Sequence, residues 1–276
     1  MSEQRYHWDI YTILEAPQEL YFGHEVEINV NRVEMVKLET KEGRIDKVYF
    51  SPTKRRGVER RTLLWSPHKS GKTLGEVLEC GIPNTCAKDE CPICRVYGAL
   101  QPGKKTVIGR LTHGGGVAVQ ELGPEEKQRA MHPSDLVRNS KGETPTPFRR
   151  EYNQPGTYYP VYNHVLSTSE TDFSAAAYAF LNMLPRVGAG NPKGARILQD
   201  GSFMYLVLDR YLVPKGKRPI ISPHETTIEA ALKEFQSSAK AVRDENSDSM
   251  FKRWQGDAAL KELERLAEVF AQKHLV

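Results

Sequence analysis

Cys80, Cys86, Cys91 and Cys94 are the only cysteines among the 276 residues, and all four fall in one short stretch with the pattern C-x5-C-x4-C-x2-C. Tetrahedral zinc asks for four soft ligands, and a C-x2-C knuckle such as Cys91-Pro92-Ile93-Cys94 supplies two of them from one tight turn. Lys88, Asp89 and Glu90 keep the enclosed loop polar. Two disulfides would belong to an oxidising compartment, and a redox pair would leave Cys80 and Cys86 without a role. The spacing therefore predicts one structural zinc ion, its four positions filled by protein and none open for a catalytic water. His68 is an alternative to one of the cysteines, because mixed Cys3His sites are common.

A second chemistry lies just upstream. Between Lys54 and Lys72 the cations Lys54, Arg55, Arg56, Arg60, Arg61, Lys69 and Lys72 face one acid, Glu59. Such a run is either a solvated loop or a surface for phosphate, which the arginine fork matches with two parallel donors. The loop Arg186-Val187-Gly188-Ala189-Gly190-Asn191-Pro192-Lys193-Gly194 has related properties, since glycines let backbone approach phosphates closely and Arg186, Lys193 and Arg196 add charge. It follows a helix and precedes a strand, the reverse of a dinucleotide site. In the stretch around Met131, His132 and Pro133, and again at Phe148, Arg149 and Arg150, apolar side chains stand beside Arg, a combination suited to parting stacked bases.

Three catalytic alternatives are weaker. Ser66 to Thr73 nearly matches a phosphate-binding P-loop, with Phe203 to Asp209 as the accompanying strand and magnesium-directing Asp. Ser66 replaces the first glycine, however, and Pro67 has no N–H to offer a phosphate. Asp46, in the basic N-terminal half, is a candidate for a metal-dependent ribonuclease. No G-x-S-x-G elbow occurs, and zinc leaves no free cysteine nucleophile.

These groups need elements to carry them. Val26, Ile28 and Val30, and later Val48 and Phe50, alternate as strands do, with a hairpin turn at Lys41-Glu42-Gly43. A helix over Thr73 to Glu79 leads into the cysteines, and a strand over Thr106 to Leu111 leads to Gly114, Gly115 and Gly116. Residues 123–156 keep neither period and read as a long insertion or protruding hairpin. A strand follows over Tyr158 to Leu166, then a helix from Asp172 to Leu184 stopped by Pro185, then a buried strand over Phe203 to Val213. Ile228, Leu232, Phe235, Ala239 and Val242 have helical spacing, as do Leu260, Leu263, Ala267 and Phe270, with Gly256-Asp257 breaking and capping before the latter. Both helices are expected to pack on their own domain.

Composition sets the class. Hydrophobic residues make up 39% and charged residues 27%, which is globular rather than disordered. No apolar run approaches the roughly 20 residues of a membrane span, and Met1 to Trp8 lacks a signal-peptide core, so a cytoplasmic protein is expected. The net charge of +4 is too small to establish a polyanionic partner by itself, which leaves the local clusters to decide.

The order of these features resembles the RAMP superfamily, specifically the backbone subunits of class 1 CRISPR effector complexes. Cys91-Pro92-Ile93-Cys94-Arg95-Val96-Tyr97-Gly98 matches that family's C-P-x-C-x-x-[FY]-G stretch, between the basic Arg55 to Arg61 and the strand at Val107. The insertion, Gly156-Thr157-Tyr158-Tyr159, the helix and the glycine loop follow in the family's order. Gly57 to Arg61 and Asn84 to Cys94 are most similar to the type I-D backbone subunit. The resemblance covers most of Arg5 to Val213 and implies an α+β fold, a modified RRM (ferredoxin-like) palm with an antiparallel sheet. Its palm would span 1–222, with a zinc-binding insertion at 66–104 and a thumb hairpin at 114–157, and a C-terminal helical segment would follow at 223–276. It further implies RNA contacts at Lys54, Arg55, Arg56, Arg60, Arg61, Arg110, Phe148, Arg149, Arg150, Arg186, Gly188, Gly190 and Lys193. The implied partners are a guide RNA, its target DNA or RNA, further copies of this chain and other effector subunits, with no membrane. Type III relatives cleave target RNA with an early Asp, which is what Asp46 would represent; type I backbones do not cleave.

Overall fold

Trp8, Ile10 and Leu14 alternate with Tyr11 and Ile13, and in a strand the two sets point to opposite sides. Both sets are buried in the computed structural model, so strand β1 (Tyr6–Ala16) runs through a sheet covered on both faces. The structure describes residues 3–21, 25–27, 30–41, 43–129, 148–188, 193–240 and 250–276, with backbone alone at 25–27, 30–31, 128–129 and 148–149.

After β1 come the short strands β2 (Glu25–Glu27) and β3 (Val30–Arg32), then the hairpin of β4 (Met35–Thr40) and β5 (Gly43–Val48). Helix α1 (Pro52–Leu64) starts with Pro at its first position, where the missing N–H costs nothing. Two short helices, α2 (Leu74–Leu78) and α3 (Pro92–Tyr97), bracket the cysteine loop, followed by a small hairpin of β6 (Ala99–Gln101) and β7 (Lys105–Val107). Next are β8 (Leu111–Gly115), the pair β9 (Glu125–Arg129) and β10 (Phe148–Tyr152), and the long β11 (Thr157–Thr168). Helix α4 (Glu170–Met183) begins where the Ser169 hydroxyl accepts the Asp172 N–H. Three two-residue strands, β12 (Arg196–Ile197), β13 (Gln199–Asp200) and β14 (Phe203–Met204), precede β15 (Leu206–Tyr211). Then follow α5 (Ile228–Ala239), β16 (Phe251–Gln255) and α6 (Gly256–His274).

The main sheet has the order β16-β15-β1-β11-β8, and each of its pairings is antiparallel. Its central strands and helices follow one another as β1-α1-β8-β11-α4-β15, with β15-β1-β11-β8 across the sheet. This is the ferredoxin-like βαββαβ arrangement of an RRM. The α+β palm expected from the sequence is present.

One face carries α1, α3, α4 and α6. Trp8 lies flat on Phe173 at a centroid distance of 4.3 Å, and Leu263, Leu266 and Phe270 of α6 join the same core. Ala175, Ala176, Ala177 and Ala179 keep α4 slim enough for both α1 and α6 to pack against it. The other face is covered by Ala231, Phe235 and Ala239 of α5 together with Ile221. The C-terminal helices thus pack on opposite faces of their own sheet, and α6 shares a core with the cysteine segment. No described helix is long and apolar enough to cross a membrane.

Several elements differ from the sequence reading. The strand expected over Thr106 to Leu111 is broken, because backbone at Gly109 presses against Tyr97 and a Cβ there would sit 2.9 Å from the Tyr97 carbonyl oxygen. Val26 to Val30 is split between two short strands that pair with each other. Phe251 to Gln255, to which no element was assigned from the sequence, forms β16, held to β15 by the Arg253 guanidinium on Asp209 at 2.6 and 2.7 Å. The basic run is largely helix α1 rather than a solvated loop.

Truncating Leu263 to Ala is expected to lower unfolding free energy by about 3 kcal/mol in a denaturant titration, the cost of a cavity in the shared core. The exposed Lys261→Ala on the same helix should change it by less than about 0.5 kcal/mol.

Candidate metal centre and nucleic-acid surface

The local sequence folds the four thiols together. Helix α2 is started by a capping box in which the Thr73 hydroxyl and the Glu76 carboxylate satisfy each other's backbone N–H groups, and it ends two residues before Cys80, with Glu79 between them in the left-handed region. Cys91 caps α3, its Sγ accepting the Cys94 N–H at 3.5 Å. The four Sγ atoms lie within 4.8 Å of one another, and Cys94 is 3.6 Å from both Cys80 and Cys86. Zn–S bonds of about 2.3 Å in a tetrahedron put the sulfurs about 3.8 Å apart, so the donor set fits such an ion. Hydrogen bonds from Cys91 and Cys94 hold the Cys80 thiol far below its ordinary value, while the Cys91 and Cys94 thiols are pushed up. His68 lies apart: its Nδ1 is 2.8 Å from the Ser70 hydroxyl, and it is not among the residues that converge, which corrects the mixed-ligand alternative.

The adjacent helix α1 is organised around a buried acid. Glu59 is fully buried and accepts hydrogen bonds from Tyr97 of α3 at 2.9 Å and from Asn163 of β11 at 3.0 Å, and it pairs with the His113 ring of β8 at 2.7 Å. Burial pushes this carboxyl up, but the attraction of His113 and the bonds from His113, Asn163 and Tyr97 outweigh it and hold it below the ordinary glutamate value.

Arg55, one turn earlier, is 1% exposed and donates to the Gly114 carbonyl at 2.5 Å and to Asn163 Oδ1 at 3.3 Å. Burial lowers its pKa to about 10, attraction to Glu59 opposing, which leaves it charged at neutral pH. Arg56 donates to the carbonyls of Leu111 and Tyr97. Arg55 is enclosed, so the phosphate contact expected there is replaced by internal bonds, whereas Arg56 is half-buried and borders an open pocket together with Arg60. The sequence showed the charges but not the side of the helix that would be buried.

The remaining cations are distributed over the surface. Lys54 is half-buried on the first turn of α1, and Arg61 is exposed on its last. Arg60 is half-buried; its Nε and one terminal nitrogen are enclosed without a hydrogen-bond partner among the described residues. Arg110 donates to the Ser167 carbonyl at 3.2 Å, and Arg150 lies 4.9 Å over the Tyr21 ring. Phe148 and Arg149 are in β10 with undescribed side chains, and Gly190 lies outside the described residues. Gly188 is buried with a φ of +111°, which favours glycine. Lys193 of the glycine loop and Lys127 of the β9–β10 hairpin both hold Glu19, and those bonds lower its carboxyl to about 2. The hairpin stem and the glycine loop are thereby tied together. Arg61 and Arg186 line one cleft of about 130 Å³ with Trp65, a residue the sequence reading passed over; its signal was a large ring following two leucines at a helix end.

The P-loop alternative lacks the local geometry it needs. Leu63, Leu64 and Trp65 close a helix instead of forming the strand that precedes a P-loop, Ser66 is buried, and the following helix α2 has five residues. Asp46 sits on β5 with its carboxylate 3.3 Å from Arg44 Nε, and among the described residues no metal-capable cluster includes it.

No protein-family model matches the chain, and no curated protein does. Solved structures do. A chain of a CRISPR RNA-guided surveillance complex in a pre-nicking state superposes with a TM-score of 0.50 at 11% identity, covering 96% of this chain and 100% of that one. A second CRISPR RNA-guided surveillance complex gives 0.49 at 14% identity over 96% and 99%, and Csc2 of Thermofilum pendens gives 0.43 at 14% over 96% and 77%. What is shared is the fold. It extends over 96% of the chain, beyond the stretch of Arg5 to Val213 that carries the sequence motifs.

Two tests follow from this geometry. Glu59→Gln is expected to cost about 3 kcal/mol at pH 7, from loss of a buried charge with its partners left in place. Because the folded pKa is depressed, the carboxylate's contribution is full above the ordinary glutamate value and is lost as pH falls through the folded one. The gap between wild type and E59Q should therefore narrow below about pH 4 in denaturant titrations. Elemental analysis should find one bound metal per chain, and Cys94→Ser should abolish it and make residues 80–94 the first site of limited proteolysis.

Proposed function

We propose that this chain is an RNA-holding backbone subunit of a class 1 CRISPR ribonucleoprotein effector, most similar to the type I-D backbone subunit. Several copies stack head to tail along one guide RNA and present it for pairing with target DNA or RNA. The observation that carries this reading is the coincidence of two independent features. The order of basic helix, cysteine knuckle, hairpin insertion and glycine loop lies on a βαββαβ sheet shared, over 96% of the chain, with a chain of an RNA-guided complex.

The physics of the surface supports it. Both faces of the sheet are covered, so this RRM-like fold does not offer the open aromatic sheet that stacks bases in an ordinary RRM. An RNA would lie on the edge formed by α1, the glycine loop and the hairpin stem, held through its backbone by Lys54, Arg60, Arg61, Arg186 and the glycine loop at Gly188 and Gly190. A subunit whose guide supplies the sequence specificity has no need of a base-reading code. The 66–104 insertion is braced by zinc, which suits four thiolates with no open position; the metal shapes the loop and takes no part in chemistry. The β9–β10 hairpin is the thumb, and the role is binding rather than catalysis, in the cytoplasm.

The full chain expressed with a guide RNA should purify as a particle many times heavier than the 31.3 kDa monomer, with an absorbance ratio typical of ribonucleoprotein. A nucleic-acid-free monomer that ignores added RNA would contradict the proposal.

A further inference from the structure

Of the three tryptophans, Trp8 is fully buried and Trp254 stacks 6.5 Å from it, whereas Trp65 is 70% exposed at the C-terminal end of α1. An indole this open offers a flat aromatic face on which a planar ligand can lie. Two clefts meet at the ring. One, of about 130 Å³, is lined by Trp65, Arg61, Thr62, Tyr178 and Arg186; the other, of about 320 Å³, by Trp65, Arg61, Gly81 and Ile82. The first is floored by a fixed set of groups, since Ser66 Oγ bonds the Thr62 carbonyl at 2.8 Å and the Tyr178 hydroxyl at 3.0 Å.

The charge lining the first cleft is one-sided. Arg61 has no carboxylate partner among the described residues, and Arg186 donates to the neutral carbonyl of Asn182. The exposed Lys69 and Lys72 stand on the turn that follows. Glu59, the one acid between Lys54 and Lys72, is enclosed on the opposite side of α1 among Tyr97, His113 and Asn163. Glu76, at the second cleft, is engaged by Thr73. An aromatic ring sharing a cleft with two guanidiniums that have no carboxylate partner among the described residues matches a ligand that is flat and anionic at once.

We propose that Trp65, Arg61 and Arg186 form a subsite for one nucleotide of single-stranded RNA, the base lying on the indole and the adjoining phosphate between the guanidiniums. This rests on the RNA-holding function above and goes beyond it by naming a stacking residue. Every base has a π-face, so such a site fixes the strand's position without selecting its sequence.

The test uses the full, metal-bound chain stripped of nucleic acid and titrated with labelled oligouridine at several salt concentrations. Trp65→Ala is expected to weaken binding about tenfold with the salt slope unchanged, because a stacking contact and no phosphate contact is removed. Trp65→Phe should retain most of the affinity. The double change Arg61→Gln with Arg186→Gln should flatten the log–log salt slope by about 0.7, the value for one phosphate of a single strand. Indole fluorescence should be quenched by oligouridine in the wild type and much less in W65F. The ring is exposed, so none of these changes should move the thermal midpoint appreciably.

W65A binding like wild type would overturn the subsite while leaving the RNA-holding function standing. W65A that keeps its RNA affinity but loses self-association would also overturn it, by assigning the ring to contact between copies. A wild-type chain that does not bind oligouridine at all would overturn both readings together.

Discussion

The structure depends on one buried carboxylate. Glu59 is enclosed between α1, α3, β8 and β11, and a charge in such a place persists only if its lone pairs are satisfied. Tyr97, His113 and Asn163 satisfy them, and each belongs to a different element. The network is therefore a geometric lock: α1 must lie at one height and one rotation over the sheet, with the end of the cysteine segment against it. Arg55 and Arg56 extend the lock by donating to backbone carbonyls of Gly114, Leu111 and Tyr97, which lie at or beside the β8 edge.

Fixing the rotation of α1 decides what the outside of the molecule looks like. With Arg55 and Glu59 turned inward, Arg61 and Trp65 face out, one turn apart at the helix end. The cysteine loop is pinned at both ends, through the capping box of α2 and through Tyr97 of α3, and a four-thiolate ion would close it between them. Further along, Glu19 joins the hairpin stem to the glycine loop through Lys127 and Lys193. Cationic loops that would be independent in a less connected fold are held here in one relation to each other.

The residues whose chemistry is local were legible in the sequence. Four clustered cysteines can do little but converge; Pro185 ends α4 close to where it was expected to, although the Ser169 cap starts the helix two residues before the expected Asp172; and the hairpin turn at Lys41 to Gly43 lies where glycine and charge interrupt the alternation. Features set by distant partners were not legible. Arg55 looks like any other arginine of a basic run until β8 supplies carbonyls for it, and Phe251 to Gln255 reads as no element in the sequence because Asp209, far away in the chain, provides the partner that orders Arg253. Gly109 breaks an apparent strand only because Tyr97 is folded against it. The same limit applies to Trp65, whose significance comes from Arg186 on a different element.

The central claim is that the outward side of α1 and the glycine loop hold RNA while the inward side holds the fold. Photo-crosslinking of bound single-stranded RNA to the full chain, read by peptide mass spectrometry, tests this most directly. Adducts should concentrate in the peptides containing Arg60 to Lys72 and Arg186 to Arg196. Adducts confined to other surfaces, such as the exposed side of α5 or α6, with none on those two peptides, would contradict it.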